Sequence, residues 1–454
     1  MSSNPAPIRK DFPADFRWGV STSSFQIEGG AREDGRGESI WDRFCAEPGR
    51  IRDGSNAEVA CDHYHRWPQD LDMAKALGVN AYRFSIAWPR ILPNGSTGRG
   101  PVNEAGLAFY DRLVDGMLER GLDPWATLYH WDLPQTLQEQ GGWTSRDTVT
   151  AFLEYTDIVT RRLGDRVGHW ITHNEPWCSC MMGYWEGVHA PGGRSLADAM
   201  QACHHVLLSH GQAVALIRRN SPDAQVGITL SLHPIAAASD SAADLAALQR
   251  HDGLRNRWFL DPLFGRGYPE DTLALLGEAA PRVEAGDLAA IAAATDFLGV
   301  NYYFPEVVQD DPDPTTGGPT RTRLVEREGV ERTGFGWEVS PQGLVDLLAR
   351  IQRDYAPAVI QLTENGSTFE DVLTTEGRVH DTERLSYLQR HLAALRQAMD
   401  AGVPVKGYFA WSLLDNFEWA EGYLRRFGLA HVDYATQQRR LKDSGLWYGR
   451  FLNE

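Results

Sequence analysis

Eight short stretches rich in apolar and β-branched residues recur along the chain, and segments with helical spacing separate them. This alternation limits the fold more than any other feature. The predicted strands are Phe16–Ser21, Asn80–Ile86, Pro124–His130, Trp170–Asn174, Gln225–Leu230, Phe297–Tyr302, Ile360–Glu364 and Gly407–Ser412. The predicted helices include Gln69–Leu77, Glu104–Arg120, Ser145–Leu163, Leu196–Arg219, Pro341–Asp354 and Asp381–Ala401. Helix-start chemistry recurs at Asn103-Glu104, Ser145-Arg146-Asp147 and Ser340-Pro341. Gly78, Gly121, Gly164 and Gly402 follow helices, where a left-handed residue is wanted. Eight strands alternating with helices over 454 residues fit an α/β fold, a (β/α)8 TIM barrel with long βα-loop insertions. Two doubly wound domains are the alternative, but no linker divides the chain. The Asp-, Pro- and Gly-rich stretch Asp310–Thr322 reads as a loop insertion after strand six. Residues 1–15 read as an N-terminal tail and 16–454 as one barrel domain.

Composition removes several classes of partner. Net charge is −17, which disfavours nucleic acid and anionic membrane surfaces, since both need a basic patch. No run of 18 apolar residues exists, so no membrane-spanning helix is expected. Met1 to Asp11 is polar and lacks the apolar core of a secretory signal. Five cysteines in so long a chain point to free thiols in a reducing compartment, hence a cytoplasmic location. Cys178-Ser179-Cys180 is too tightly spaced for the usual zinc pair.

Two carboxylates occupy matching settings. Glu175 follows Trp170-Ile171-Thr172-His173-Asn174, and Glu364 follows Val359-Ile360-Gln361-Leu362-Thr363. Each therefore sits where a strand opens into a loop. In a barrel, strands four and seven deliver their last residues to the same rim, where barrel enzymes do chemistry. Two carboxylates facing each other across a cleft are what cleavage of a glycosidic bond requires.

The chain resembles the retaining β-glucosidases of glycoside hydrolase family 1. The resemblance rests on motifs in order from Phe16 almost to the C-terminus. They begin with Phe16-Arg17-Trp18-Gly19, Ser23-Ser24-Phe25-Gln26-Ile27-Glu28-Gly29 and Asp62-His63-Tyr64-His65-Arg66. Tyr82-Arg83-Phe84-Ser85-Ile86-Ala87-Trp88-Pro89-Arg90 and Tyr129-His130-Trp131-Asp132-Leu133-Pro134 follow. Asn174-Glu175-Pro176, Leu298-Gly299-Val300-Asn301-Tyr302-Tyr303, Thr363-Glu364-Asn365-Gly366 and the run Trp411 to Trp419 complete the set.

The resemblance implies that Glu364 is the nucleophile and Glu175 the general acid/base, with Arg83 and Tyr303 supporting Glu364. A cation and donors at Glu364 are expected to lower its pKa and keep it ionised. Gln26, His130, Asn174, Asn301 and Glu418 match sugar-binding positions. Asn174 is the residue expected to hold the 2-hydroxyl. Trp131, Trp411, Trp419 and Phe427 are expected to line the glycone pocket. Trp337 is expected to form a platform on the leaving-group side. Glu418 would repel a 6-phosphate, and Arg425 and Arg426 read as structural. The implied substrate is a small β-glucoside or oligosaccharide, with no metal and no organic cofactor.

Two readings from other classes compete. Barrel metallohydrolases use a His-x-His pair, and His63-Tyr64-His65 has that spacing, but it lies in a polar run entering a helix. A non-catalytic sugar-binding protein on the same fold would be expected to have lost one carboxylate, and both are present.

Overall fold

The computed structural model describes residues 7–313 and 315–454, so residues 1–6 of the expected tail and Pro314 of the expected insertion lie outside it. Eight parallel strands form a closed barrel: β1 (Arg17–Ser21), β2 (Ala81–Ser85), β3 (Asp123–Tyr129), β4 (His169–Asn174), β5 (Gln225–Ser231), β6 (Phe297–Asn301), β7 (Ile360–Asn365) and β8 (Val405–Trp411). Each predicted strand lies within two residues of an observed one. Closure comes from β1 pairing with both β2 and β8, as in Ser21 opposite Arg83 and Trp411.

Helices pack outside: α1 (His63–Leu77), α2 (Glu104–Glu119), α3 (Arg146–Leu163), α4 (Leu196–Asn220), the short α5 (Asp287–Ile291), α6 (Pro341–Tyr355), α7 (Thr382–Asp400) and α8 (Asp443–Asn453). Ser145 and Ser340 cap α3 and α6 through their side chains, as their sequence context predicts. Asn103 does not cap α2; its amide bonds the carbonyls of Asp34 and Arg90 instead. The helix predicted from Gln69 starts six residues earlier and runs through Pro68. His63 Nδ1 lies 2.8 Å from Asp70 Oδ2, a buried link that spans the backbone bond lost at the proline. Gly78, Gly121 and Gly402 have positive φ, but Gly164 is right-handed at φ −70. It is held to glycine by crowding, because an added Cβ would fall 2.3 Å from the Thr160 carbonyl and 2.0 Å from Ser221 Oγ.

The barrel is filled. Ala81, Trp125, Ile171, Phe297 and Phe409 form a buried floor at its N-terminal end. Trp125 stacks on His169, with ring centroids 4.0 Å apart. Arg83 lies two residues beyond Ala81, on the same face of β2 by the period of a strand. It therefore points inward one layer above the floor. Phe12 is buried against Trp18, with ring centroids 4.9 Å apart, and beside Phe451 of α8, so the end of the expected tail is fastened to the barrel.

Long excursions leave the opposite rim. In them Ile235–Ala237 joins Glu306–Asp310 and Thr322–Leu324 in a small sheet, and Ala430–Asp433 pairs with Gln438–Leu441, elements that the strand pattern did not predict. The expected loop insertion is the connection between the second and third strands of that small sheet. Among the described residues no helix is long and apolar enough to cross a membrane.

Candidate active site

Strand irregularities aim the two carboxylates. Between Ile171 and Asn174 the register of β4 against β5 shifts. Ile171 belongs to the barrel floor, yet Thr172 and His173 both reach outward, to His210 and Ser209 of α4. The alternation slips by one residue, and Asn174 returns to the interior. Glu175 follows in a left-handed conformation, φ 48, which is costly for a side chain with a Cβ. A second shift lies on β7 between Leu362 and Glu364. It lets Thr363 and Glu364, though adjacent, both face the interior, where Thr363 Oγ1 donates to Asn301 Oδ1 at 2.7 Å. Gly366 follows because the carbonyl of Trp411 lies 1.8 Å from where a Cβ would stand.

Arg83 organises the centre. Its Nη1 donates to Glu364 Oε1 at 2.6 Å, and its Nη2 donates to Asn174 Oδ1 at 2.6 Å. Tyr303 donates its hydroxyl to Glu364 Oε2 at 2.7 Å. Both oxygens of Glu364 are thus held, and its position is set by two elements other than its own. Asn301 Nδ2 donates to Glu175 Oε1 at 2.7 Å and to Asn174 Oδ1 at 3.1 Å. With two donors on its oxygen, Asn174 turns its amide nitrogen to His130 Nε2 at 3.0 Å. A continuous chain of hydrogen bonds therefore joins Glu175 to Glu364 through Asn301, Asn174 and Arg83.

Glu175 and Glu364 are 6% and 4% exposed, and both open on one cavity of about 440 Å³. His130, Trp131, Asn174, Trp411, Glu418, Trp419 and Phe427 form its inner wall, and Tyr303 lies beside Glu364. Trp337 lies farther out, stacked on Phe335 with centroids 4.5 Å apart. Trp131 and Trp419 share the left-handed conformation of Glu175, with φ 81 and φ 48. Strained backbone is thus gathered at the cavity, where surrounding packing must hold it.

Two residues expected to meet a sugar, Asn301 and Gln26, are already occupied by protein groups. Arg83 and Asn301 are buried behind the carboxylates. Asn301 gives both amide hydrogens to protein groups, which places it to hold Glu175 rather than a hydroxyl. Gln26 is fully buried; its amide bonds Asn416 and the carbonyl of Phe417 and approaches Glu418 Oε2 at 3.5 Å. Arg425 pairs with Glu421, and Arg426 pairs with Asp415, as structural cations. His63 and His65 bond Asp70, Asp62 and Glu33 on and beside α1, away from the cavity.

Electrostatics at the centre depart from the sequence expectation in one respect. Burial pushes the Glu364 carboxyl up to about 7, and the charge of Glu175 adds to this. Arg83 and Tyr303 hold it down, but they do not outweigh burial. Burial, Glu364 and Glu175 raise Glu418 to about 8. Burial and the charge of Arg83 hold His130 well below the usual imidazole range, so it is neutral.

Crowded acids carry a stability cost with a definite sign. Glu418 holds its proton more tightly in the folded chain, about 8 against an ordinary 4.5, so folding stability falls as pH rises through that window. Glu418→Gln is expected to melt at a higher temperature than the parent at pH 8, with a smaller difference at pH 5. Thermal denaturation at both values checks this; a gain confined to pH 5 would contradict it.

The outer wall was not legible in the sequence. Trp177, Ser231, His233, Arg255, Phe304 and Glu306 line it. The Arg255 guanidinium lies 3.7 Å over the Trp177 ring. Burial alone would raise the Glu306 carboxyl, but His233, Arg255 and His251 hold it below the usual range. Cys178, three residues after Glu175, was also missed as a site residue, and its thiol donates to Glu175 Oε2 at 3.0 Å. The spacing from Glu175 into a helical segment was the available signal.

The sequence profile described as Glycosyl hydrolase family 1 matches residues 8–454. Beta-glucosidase A of Thermotoga maritima is 46% identical over 98% of both chains. A 1,4-beta-D-glucan glucohydrolase of Thermotoga neapolitana is 44% identical over 98% of both chains. The solved structure of the family 1 b-glucosidase from Thermotoga maritima in complex with isofagomine lactam superposes with a TM-score of 0.93 at 44% identity, covering 97% of this chain and 98% of that one.

Proposed function

Because this chain belongs to glycosyl hydrolase family 1, we propose that it is a retaining β-glucosidase that removes terminal non-reducing β-D-glucosyl residues from cello-oligosaccharides and from aryl and alkyl β-glucosides. The observation that carries this reading is the linked pair: Glu175 and Glu364 line one cavity and are joined through Asn301, Asn174 and Arg83. Glu364 attacks the anomeric carbon while Glu175 protonates the leaving oxygen. Glu175 then takes a proton from water as the glycosyl ester is hydrolysed. Arg83 and Tyr303 orient Glu364 and favour its ionised form.

The inner wall suits a single sugar ring. Trp411, Trp419 and Phe427 offer flat apolar faces, and Glu418 offers a carboxyl group for adjacent hydroxyls. One N–H of Asn174 remains for the 2-hydroxyl once His130 has taken the other. A phosphate on the sugar would meet Glu418, so an unphosphorylated glycone is preferred. Galactosides and fucosides are accepted as side substrates. Glycosyl transfer to alcohols or sugars follows from capture of the ester by acceptors other than water. The work of such an enzyme is cytoplasmic, on small soluble glycosides.

The test is product stereochemistry. Nitrophenyl β-D-glucoside is expected to release β-glucose first, followed in real time by proton NMR. Release of α-glucose would reject double displacement, and no release between pH 5 and 8 would favour sugar binding without turnover.

A further inference from the structure

We infer that Cys178 is a positioning residue for the acid/base: its thiol donates to Glu175 Oε2 and steadies the ionised form of that carboxylate. The inference rests on the role proposed above for Glu175. Glu175 ends β4 in a left-handed turn, and its carbonyl accepts the backbone N–H of Cys178 at 2.9 Å. Pro176 and Trp177 complete the turn before the wide helical segment Cys178–Trp185. This closed turn brings the Cys178 side chain back over the Glu175 carboxylate.

The two oxygens of Glu175 are then held from opposite sides. Asn301 of β6 donates to Oε1 at 2.7 Å, and Cys178 donates to Oε2 at 3.0 Å. Of the five cysteines, Cys178 is the one that lines the cavity. Burial and the Glu175 charge push its thiol well above its ordinary range, so it remains a donor and is a poor nucleophile. Glu364, Glu418 and Tyr303 face the same cavity, and Arg255 and Glu186 act on the thiol from the outer side.

The thiol gains and loses no proton in the cycle. While Glu175 is charged, after proton delivery and before water is activated, the S–H points at Oε2. While Glu175 is protonated, the S–H rotates away, and the carboxyl is free to turn its proton to the leaving oxygen. Removing the donor makes Glu175 hold its proton more tightly. The acid form then persists to higher pH, and the base form becomes scarcer in the second step.

Three variants separate this from simple packing: Cys178→Ala, Cys178→Val and Cys178→Ser. Val fills the volume without a donor, and Ser keeps a donor in a smaller group. The alkaline limb of kcat/KM on cellobiose is expected to move up by about half to one pH unit in Ala and Val, the scale of one lost hydrogen bond. Their kcat on dinitrophenyl β-glucoside, limited by the second step, is expected to fall at the acid end of the profile, by up to about 3–10-fold there. Ser is expected to keep both values near the parent. An unmoved limb in Ala and Val, or a Val variant matching the parent, would overturn the role of the thiol. So would a Ser variant shifted as far as Ala. Failure of the parent to cleave either substrate would instead reject the proposed function.

Discussion

Glu364→Ala is expected to lose turnover of nitrophenyl β-glucoside by roughly 10⁶-fold, the scale found when a nucleophile is removed. Added azide is expected to restore part of the activity. It enters the space vacated by the carboxylate and attacks the anomeric carbon directly, so the product is the α-glucosyl azide. A β-azide would place the missing nucleophile elsewhere. The same change also breaks a buried ion pair, because Arg83 is fully buried and Glu364 nearly so. Removing one partner of such a pair costs about 3–5 kcal/mol, so a lower melting temperature is expected as well. Asn174 and the Thr363 carbonyl still accept from Arg83, which keeps the guanidinium partly satisfied. Rescue by azide shows that the variant is folded, and this separates chemistry from stability.

Glu175→Ala is expected to divide substrates by leaving group. A sugar alcohol needs a proton to depart, so kcat/KM on cellobiose falls by about 10²–10⁴-fold. A dinitrophenolate leaves without one, so kcat/KM on its glucoside changes little. Its kcat still falls, because no base remains to activate water, and the glycosyl ester on Glu364 accumulates. Azide, which needs no base, is expected to release that ester as the β-glucosyl azide. Equal loss on both substrates would count against proton donation by Glu175.

Period and punctuation made most of the barrel legible. All eight strands are buried on both faces by floor and helices, so each reads as a short apolar run regardless of its neighbours. The ends of α3 and α6 were readable because serine capping is a local interaction. The start of α1 was not, since the contact that carries the helix past Pro68 joins residues seven apart. Gly164 was readable as a necessary glycine but not for the right reason. Its restriction comes from the Thr160 carbonyl and Ser221 crowding its Cα, and not from its own φ.

The candidate site divides in the same way. The positions of Glu175 and Glu364 at strand ends followed from short runs of sequence, and so did the residue types placed around them. The register slips that turn Asn174 and Glu364 inward did not, because no residue in β4 or β7 announces a bulge. Nor could the sequence reveal the outer wall, where segments from three separate excursions meet.

The sequence by itself determined a barrel with two acids at one rim, since strand period, helix caps and residue type act over a few neighbours. Only the tertiary structure decided how those acids behave. The rise of Glu364 and Glu418 above the ordinary carboxylate range, the turning of Asn301 toward Glu175 and the approach of the Cys178 thiol all arise from groups brought close through space. Desolvation and charge proximity depend on that closeness, and a linear chain does not display it before it folds.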